Sequence, residues 1–451
     1  MSRRIVALLC LLALLAVGIF PAQAQEPVTI TIRCKASPPT EEWRCNNFLD
    51  VVEQVEADLG VDIELTLIQD NEDWGPYKQE FVLASEAGEA PDIVVSGHED
   101  IGAWAEAGLI APLDEMIREG DSFTGNLADV VPSLWESAQF ADGQIYGVPQ
   151  DAEARPLYYS KILLADLGWS EEEIESLDER IASGEFTFDD MIETAAQAVE
   201  EGVVEEGNGY WHRNANGPDF AYFYYAEGGE IVDADGNLVF DTEAALAVLQ
   251  RFQTMREVGV MTTNHLGIEG SVWHTTLSSG ENVVFWTGGT WNWGDWAVNY
   301  VADRGGQDYL FENIGFALVP SMGTGTPITL THPLMYMVSS QSEHPEVALA
   351  LIDAVTTPEL NNRHAVDSAH LGILNAQLES EEYQNAPFLA ATHPMLEYTT
   401  FIPNHPSWGV WSESFWTGIQ AVESGELSAE DALNVVVEQL QNQLGDGITV
   451  R

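Results

Sequence analysis

Residues 150–155 read Gln-Asp-Ala-Glu-Ala-Arg and stand between two apolar runs, 145–149 and 156–160. A polar run inside a packed sheet would leave buried donors and acceptors unpaired, at a cost of about 1–3 kcal/mol for each orphaned group. The pattern therefore places this stretch in a wet crevice, with the chain leaving one sheet near Pro149 and entering another after Pro156. At 451 residues the chain is two to three times what one hydrophobic core holds, so at least two lobes are expected. No internal repeat and no low-complexity linker separates them. Lobes joined by several strand crossings fit such a chain better than domains in series.

Arg3 and Arg4 precede an apolar run over residues 5–20 and the small-residue site Ala22-Gln23-Ala24. This is the layout of a secretory signal at residues 1–24, since about 16 apolar residues fall short of the ~20 that a spanning helix needs. The mature chain is expected to begin near Gln25. Cys10 follows Leu9 rather than a small residue and lies inside the apolar run, which argues against lipid attachment there. Without Arg3 and Arg4, 14 basic residues face 73 acidic ones, a net charge of about −59. That balance excludes nucleic acid and anionic membrane as partners and reads otherwise as a solvated, self-repelling surface. Cys34 and Cys45, the only cysteines after the signal, are expected to form a disulfide in an exported protein, with two free buried thiols as the alternative. The bridge would pin loop 35–44 against the helix that follows and add about 2–3 kcal/mol at best.

Val28, Ile30 and Ile32 alternate as in a strand, and Phe48, Val51, Val52, Val55 and Leu59 follow helical spacing up to Gly60. Val61, Ile63, Leu65 and Leu67 alternate again; a helix is expected over 74–87 before Gly88, and a short apolar strand over 92–96. Strands alternating with helices at this spacing imply βαβ units on a largely parallel sheet, whose ligands sit outside the carboxyl ends of the strands. Loops 35–44, 69–73 and 96–100 are therefore where a ligand would be met. Further on, Thr187-Phe-Asp-Asp190 reads as a capping box, Asp241 as the cap of a helix running towards Gly259, 281–287 as a strand, and 346–355 and 428–444 as helices.

Five blocks follow one another over some 400 residues: 90–100 with 107–113; Glu153-Ala154 with Leu157, Tyr159 and Lys161; 226–229 with 233–237; 279–291, ending Gly289-Thr290-Trp291; and 402–406 with Trp411 and Phe415. In this order they resemble the maltose-binding-type, family 1 extracellular solute-binding proteins of ABC sugar importers. The resemblance implies an α/β, two-lobed periplasmic-binding-protein fold of type II, with a ligand cleft between lobes joined by three crossings. It places residues 25–150 and 333–382 in an N-terminal lobe and 151–332 and 385–451 in a C-terminal one. It also implies a monomer that closes on a sugar, delivers it to permease subunits in the membrane, and works outside the cytoplasm as a secreted, periplasmic or cell-surface protein. No catalysis, cofactor or metal is expected. Glu153 carries over directly, Trp291 stands where the family has a sugar-stacking tryptophan, and Trp408 and Trp411 lie in the late binding loop. The first-lobe loop of the maltose binders carries a tryptophan and an arginine where this chain has Ser96 and Asp100, which favours a smaller sugar or another glycoside over long malto-oligosaccharides.

The chemistry of the residues points the same way. A pyranose offers C–H faces and hydroxyl edges, so its site needs flat apolar plates and a rim of carboxylates or arginines. Trp291, Trp408 and Trp411 are the candidate plates, and Glu42, Glu99, Asp100, Asp151, Glu153, Arg155 and Asp219 the candidate rim, while Trp286 reads as core. Tryptophans with paired acids also describe a secreted glycosidase. An aromatic, acidic cleft of the same fold could instead hold a polyamine. Tyr158-Tyr159 and Tyr224-Tyr225 raise ferric iron as a further ligand, although tyrosines in strands are more often half-buried sheet residues.

Overall fold

The structure, a computed structural model, describes residues 26–263 and 265–451. The export signal and Cys10 lie outside the described residues. The strands that position the site are, in chain order, β1 (Val28–Lys35), β2 (Ile63–Asp70), β3 (Ile93–Gly97), β4 (Val148–Pro149), β5 (Leu157–Ser160), β6 (Tyr210–Trp211), β7 (Phe285–Thr287), β8 (Ile314–Ala317), β9 (Thr329–Leu330), β10 (Leu334–Val338) and β11 (Thr399–Thr400). One sheet has the order β2-β1-β3-β10-β4. In it β1 runs parallel to β2 and β3, as helices Val52–Leu59 and Trp74–Ala87 between them dictate. The late strand β10 then enters antiparallel to β3 and β4. The second sheet, β8-β5-β7-β6, departs from the parallel expectation: β5 is antiparallel to both neighbours and only β7 and β6 run together.

Residues 150–156 carry the chain from the first sheet to the second. It returns through β9, which lies between β8 and β10 in sequence, and β9 pairs with β11. A further passage lies alongside: Ala152 faces Leu371 in an antiparallel bridge. Each sheet has its own core. Ile30, Ile32, Phe48, Phe81, Val94 and Val95 are buried around the first. The second is aromatic, with Tyr158 between Trp286, Trp293 and Trp296 at ring separations of 6.0, 6.4 and 5.2 Å. Helices Thr242–Glu257, Trp408–Glu423 and Ala429–Leu444 pack together beyond it, so closely that a Cβ on Gly418 would stand 2.5 Å from Val436.

Local signals formed as local physics requires. Gly60 and Gly88 end their helices in the left-handed region, at φ 69° and 76°. Thr187 accepts from the Asp190 N–H and returns its own to the Asp190 carboxylate, opening helix Phe188–Glu200. Asp241 precedes helix Thr242–Glu257 but makes no side-chain cap, because its carboxylate is taken by Arg451 and the Glu230 N–H. Tyr224 and Tyr225 lie on helix Ala221–Ala226 rather than in a strand: a short run apolar at every position carries no period to tell helix from sheet. Cys34, near the end of β1, and Cys45, in helix Trp43–Asn46, are bonded, with Cα atoms 5.9 Å apart. No helix among the described residues is long and apolar enough to cross a membrane.

Candidate ligand-binding site

The crossing at 150–155 is polar but not wet. Gln150 and Asp151 are 1 % exposed, Glu153 5 % and Arg155 3 %. The expected crevice is instead a seam in which most backbone groups of the crossing have a partner from elsewhere. The Gln150 N–H donates to Leu334 O, the Arg155 N–H to Thr329 Oγ1 at 2.8 Å and the Glu153 N–H to Thr331 Oγ1 at 3.3 Å, while Asn361 Nδ2 donates to Gln150 O. Burial is tolerated because most of the polar groups are hydrogen-bonded and Arg155 is held in ion pairs with Glu153 and Asp219.

Beneath the seam lies Arg44, beside Cys45 of the disulfide. Its guanidinium donates to Gln150 Oε1 and Lys35 O, each at 2.7 Å, and to Asp151 Oδ2 at 3.0 Å. Asp151 also accepts the Leu334 N–H and faces His364 Nε2 at 3.2 Å and His370 Nε2 at 3.7 Å. Burial alone would raise its pKa, but His370, the His364 hydrogen bond and Arg44 outweigh burial and hold the carboxyl below the usual range. Burial lowers both histidines, His370 to about 3, so they sit neutral. Asp151, His364 and His370 have the atoms to grip a metal ion. Arg44 already places a positive charge against that same Asp151 oxygen, so the cluster does not fit a cation.

Above the seam is a cavity of about 260 Å³ lined by Glu41, Arg44, Trp74, Lys78, Glu99, Glu153, Arg155, Arg213, Asp219, Trp291, His332 and His370, among others. Its wall is a row of alternating charges. Lys78 Nζ meets Glu99 Oε1 at 2.5 Å and Asp100 Oδ2 at 3.0 Å; His332 Nε2 meets Glu99 Oε2 and faces Glu153 at 3.7 Å through Nδ1. Arg155 joins Glu153 to Asp219, its Nε 3.3 Å from Asp219 Oδ1. Burial lifts Glu153 to about 7 against the pull of Arg155 and His332, and lifts Asp100 to about 6. For His332 burial works downward, and Glu99 overrides it to raise the imidazole.

Two indoles share the lining. Trp291, half-buried, follows β7 and lies over Gly289, where a Cβ would come within 1.8 Å of the ring, so only glycine fits beneath it. The Arg155 and Arg213 guanidiniums lie 4.9 and 5.7 Å from its centroid, and His370 stacks at 6.0 Å. Trp74, 39 % exposed, opens the helix after β2, with Lys78 Nζ 5.6 Å and Lys35 Nζ 5.8 Å from its ring.

Of the residues singled out from sequence, Glu99, Glu153, Arg155, Asp219 and Trp291 line the cavity. Asp100 stands behind it on Lys78 and Ser96, and Asp151 lies in the floor. Glu42 precedes helix Trp43–Asn46 while its neighbour Glu41 does the lining. Trp408 and Trp411 are corrected: they stack on each other in the second core, 8 % and 1 % exposed, and Trp411 donates to Val239 O and abuts Tyr224 and Phe240. Their spacing with Phe415, three and four residues apart, is that of a buried helix face. Arg44, Trp74, Lys78, Arg213 and His332 were missed. A signal existed for two of them: Lys78 is one of three lysines, and Trp74 adjoins loop 69–73.

Residues 48–362 match the family described as bacterial extracellular solute-binding protein. The chain is 22 % identical over 350 residues to the maltotriose-binding protein of Pyrococcus abyssi, covering 75 % of this chain and 66 % of that one. Its fold is shared with the GacH receptor of Streptomyces glaucescens, solved unliganded and with acarbose, at a TM-score of 0.72 and 18 % identity over 94 % of this chain and 100 % of the other. Maltose-bound MalE3 of T. maritima matches with a TM-score of 0.72 and 19 % identity, over 92 % and 100 %.

Proposed function

The chain belongs to the family of bacterial extracellular solute-binding proteins, and from that premise we propose that it captures a di- or oligosaccharide of the α-glucoside kind and delivers it, unaltered, to the permease subunits of an ABC importer. The observation that carries this reading is the cavity beside the crossing segments, where an indole from each sheet's side, Trp74 and Trp291, shares a lining with charged groups at hydrogen-bonding reach. Flat plates suit the C–H faces of a pyranose and the charged wall suits its hydroxyls. At about 260 Å³ the cavity lies just below the ~300–1,000 Å³ of small-molecule sites, which supports one or two rings rather than a long chain. The maltotriose named for the Pyrococcus relative and the acarbose named for the GacH receptor support the same ligand class.

In this reading residues 25–150 with 333–382 form one lobe and 151–332 with 385–451 the other. The pairing of β10 with β3 and β4 supports it, as does the packing of the last two long helices on Thr242–Glu257. The protein acts as a monomer, secreted, periplasmic or held at the cell surface, without nucleic acid or cofactor. Lobes linked by crossings close by a hinge, and the ligand's preference for the closed state supplies the shift. A polyamine finds less support: Arg155 and Arg213 already face the Trp291 ring and Lys35 and Lys78 the Trp74 ring, so a cationic ligand would meet like charges where a neutral sugar would not. Small-angle scattering is expected to show compaction on adding an α-glucoside, with the sugar recovered intact. Recovery of cleaved sugar would replace this reading with a glycosidase, and compaction by spermidine alone would replace it with a polyamine binder.

A further inference from the structure

Three of the four Lys and Arg side chains in the cavity wall are answered by carboxylates. Arg44 sits with Glu41 and Asp151, Lys78 with Glu99 and Asp100, Arg155 with Glu153 and Asp219. Arg213 differs. Among the described residues its side chain makes neither an ion pair nor a hydrogen bond; its guanidinium lies 5.1 Å from the Trp273 ring centroid and 5.7 Å from that of Trp291. Its position is held firmly, because it lies two residues beyond β6 and the intervening His212 is fixed by Glu423 at 2.8 Å and by Arg213's own carbonyl at 2.5 Å. In a chain with 73 acidic and only 16 basic residues, a half-buried guanidinium with no carboxylate partner contrasts with its neighbours. Burial lowers its pKa against the pull of Asp219 and Glu153, which act on its charge without touching it, and no group among the described residues takes its five N–H donors.

We propose that the sugar taken by this cleft carries a carboxylate, as in a uronate or another sugar acid, and that Arg213 binds that group. The inference rests on the sugar-binding reading above and narrows it. The planar fork of an arginine matches the two oxygens of a carboxylate, and the flanking indoles of Trp273 and Trp291 leave its edge as the part free to donate. One negative charge suits the site better than two: Glu41, Glu99, Glu153 and Asp219 line the same cavity, so a phosphate would meet their repulsion along with the attraction of Arg213. A neutral sugar would leave the guanidinium with hydroxyls alone, the weaker of the two partners.

The test is calorimetry on the exported chain with matched pairs differing only in a carboxylate against a hydroxymethyl group: α-glucuronosyl-glucose against maltose, and digalacturonate against α-1,4-galactobiose. The acid of at least one pair is expected to bind about tenfold or more tightly than its neutral partner, the range of a charge-assisted hydrogen bond, and the ratio is expected to shrink as salt is added. In Arg213→Gln that ratio should fall to about one whatever happens to absolute affinity, and Arg213→Lys, which keeps the charge but not the fork, should restore part of it. Neutral sugars binding as tightly as their acids would overturn this inference and leave the sugar-binding reading standing. An acid preference that survives Arg213→Gln would overturn the role of Arg213. Binding by spermidine, run beside the sugars, with none of the sugars bound, would remove both readings together.

Discussion

Arg44 and Asp151, both 1 % exposed, are stable in the interior only as a pair. Replacing Arg44 with Met keeps much of the volume but strands a buried carboxylate among neutral histidines, so Arg44→Met is expected to cost about 3–5 kcal/mol in urea unfolding, and the double variant with Asp151→Asn to recover a large part of it. A single-variant loss below about 1 kcal/mol would mean that the pair is not what holds the seam to the first sheet. The tryptophans divide by role in the same way. Trp291→Ala and Trp74→Ala are each expected to weaken sugar binding by about 2 kcal/mol with little change in melting temperature. Trp411→Ala is expected to do the reverse, losing about 3–5 kcal/mol of stability while the intact fraction binds normally. Unchanged affinity in both Trp74→Ala and Trp291→Ala would place the site elsewhere. No rule of composition could have told these tryptophans apart. Trp291 was legible because two glycines precede it, whereas Trp411 owes its burial to Tyr224 and Phe240, partners about 170 or more positions away in the chain.

Among the elements, helix Pro358–Ser368 and the turn after it bring His364 and His370 to the seam, facing Asp151, Arg44, Glu41 and Ser368. Burial lowers both imidazoles, His370 to about 3, whereas in the unfolded chain they titrate near 6.5. Between those limits the unfolded state binds more protons, so their contribution to stability is present above pH ~6.5 and is lost as pH falls towards 3. Glu153 works the other way: raised to about 7 by burial, it keeps a proton in the folded chain that the unfolded chain has released, and so favours folding as pH drops from ~7 towards ~4.5. Unfolding free energy measured from pH 7.5 to 4 should therefore fall less steeply in His370→Gln than in the native chain. An unchanged slope would assign the acid sensitivity to other groups. Elements whose ends are set by neighbours in sequence were readable, as at Gly60, Gly88, Thr187 and Ser428, whose hydroxyl accepts from the Asp431 N–H. Asp241 was misread because its partner is Arg451, at the far end of the chain. The antiparallel entry of β10 into the first sheet likewise depends on residues more than 200 positions away from β3.

At the scale of the molecule, the charge is the dominant unspent term. Ion pairs absorb some of the 73 carboxylates, but 16 lysines and arginines cannot answer most of them, and the excess lies on the surface as mutual repulsion that the folded state concentrates. The polar crossing segment announced a passage between two sheets, yet its burial could not be inferred, because the partners that satisfy it come from β9 and from helix Pro358–Ser368. Surface repulsion, by contrast, follows from composition alone and should respond to salt. The Debye length falls from ~30 Å at 0.01 M to ~8 Å at 0.15 M, so most of the screening of charges across this surface is complete by physiological ionic strength. The melting temperature is therefore expected to rise with sodium chloride, steeply below about 0.15 M and slowly above it. Sodium sulfate separates screening from exclusion of the salt from the protein surface. Matched in ionic strength, sulfate and chloride should coincide if screening is the cause, whereas a rise produced by sulfate alone would assign the effect to strengthened apolar burial. The buried pair of Arg44 and Asp151 lies out of reach of either salt, so Arg44→Met should lower the whole curve without changing its shape.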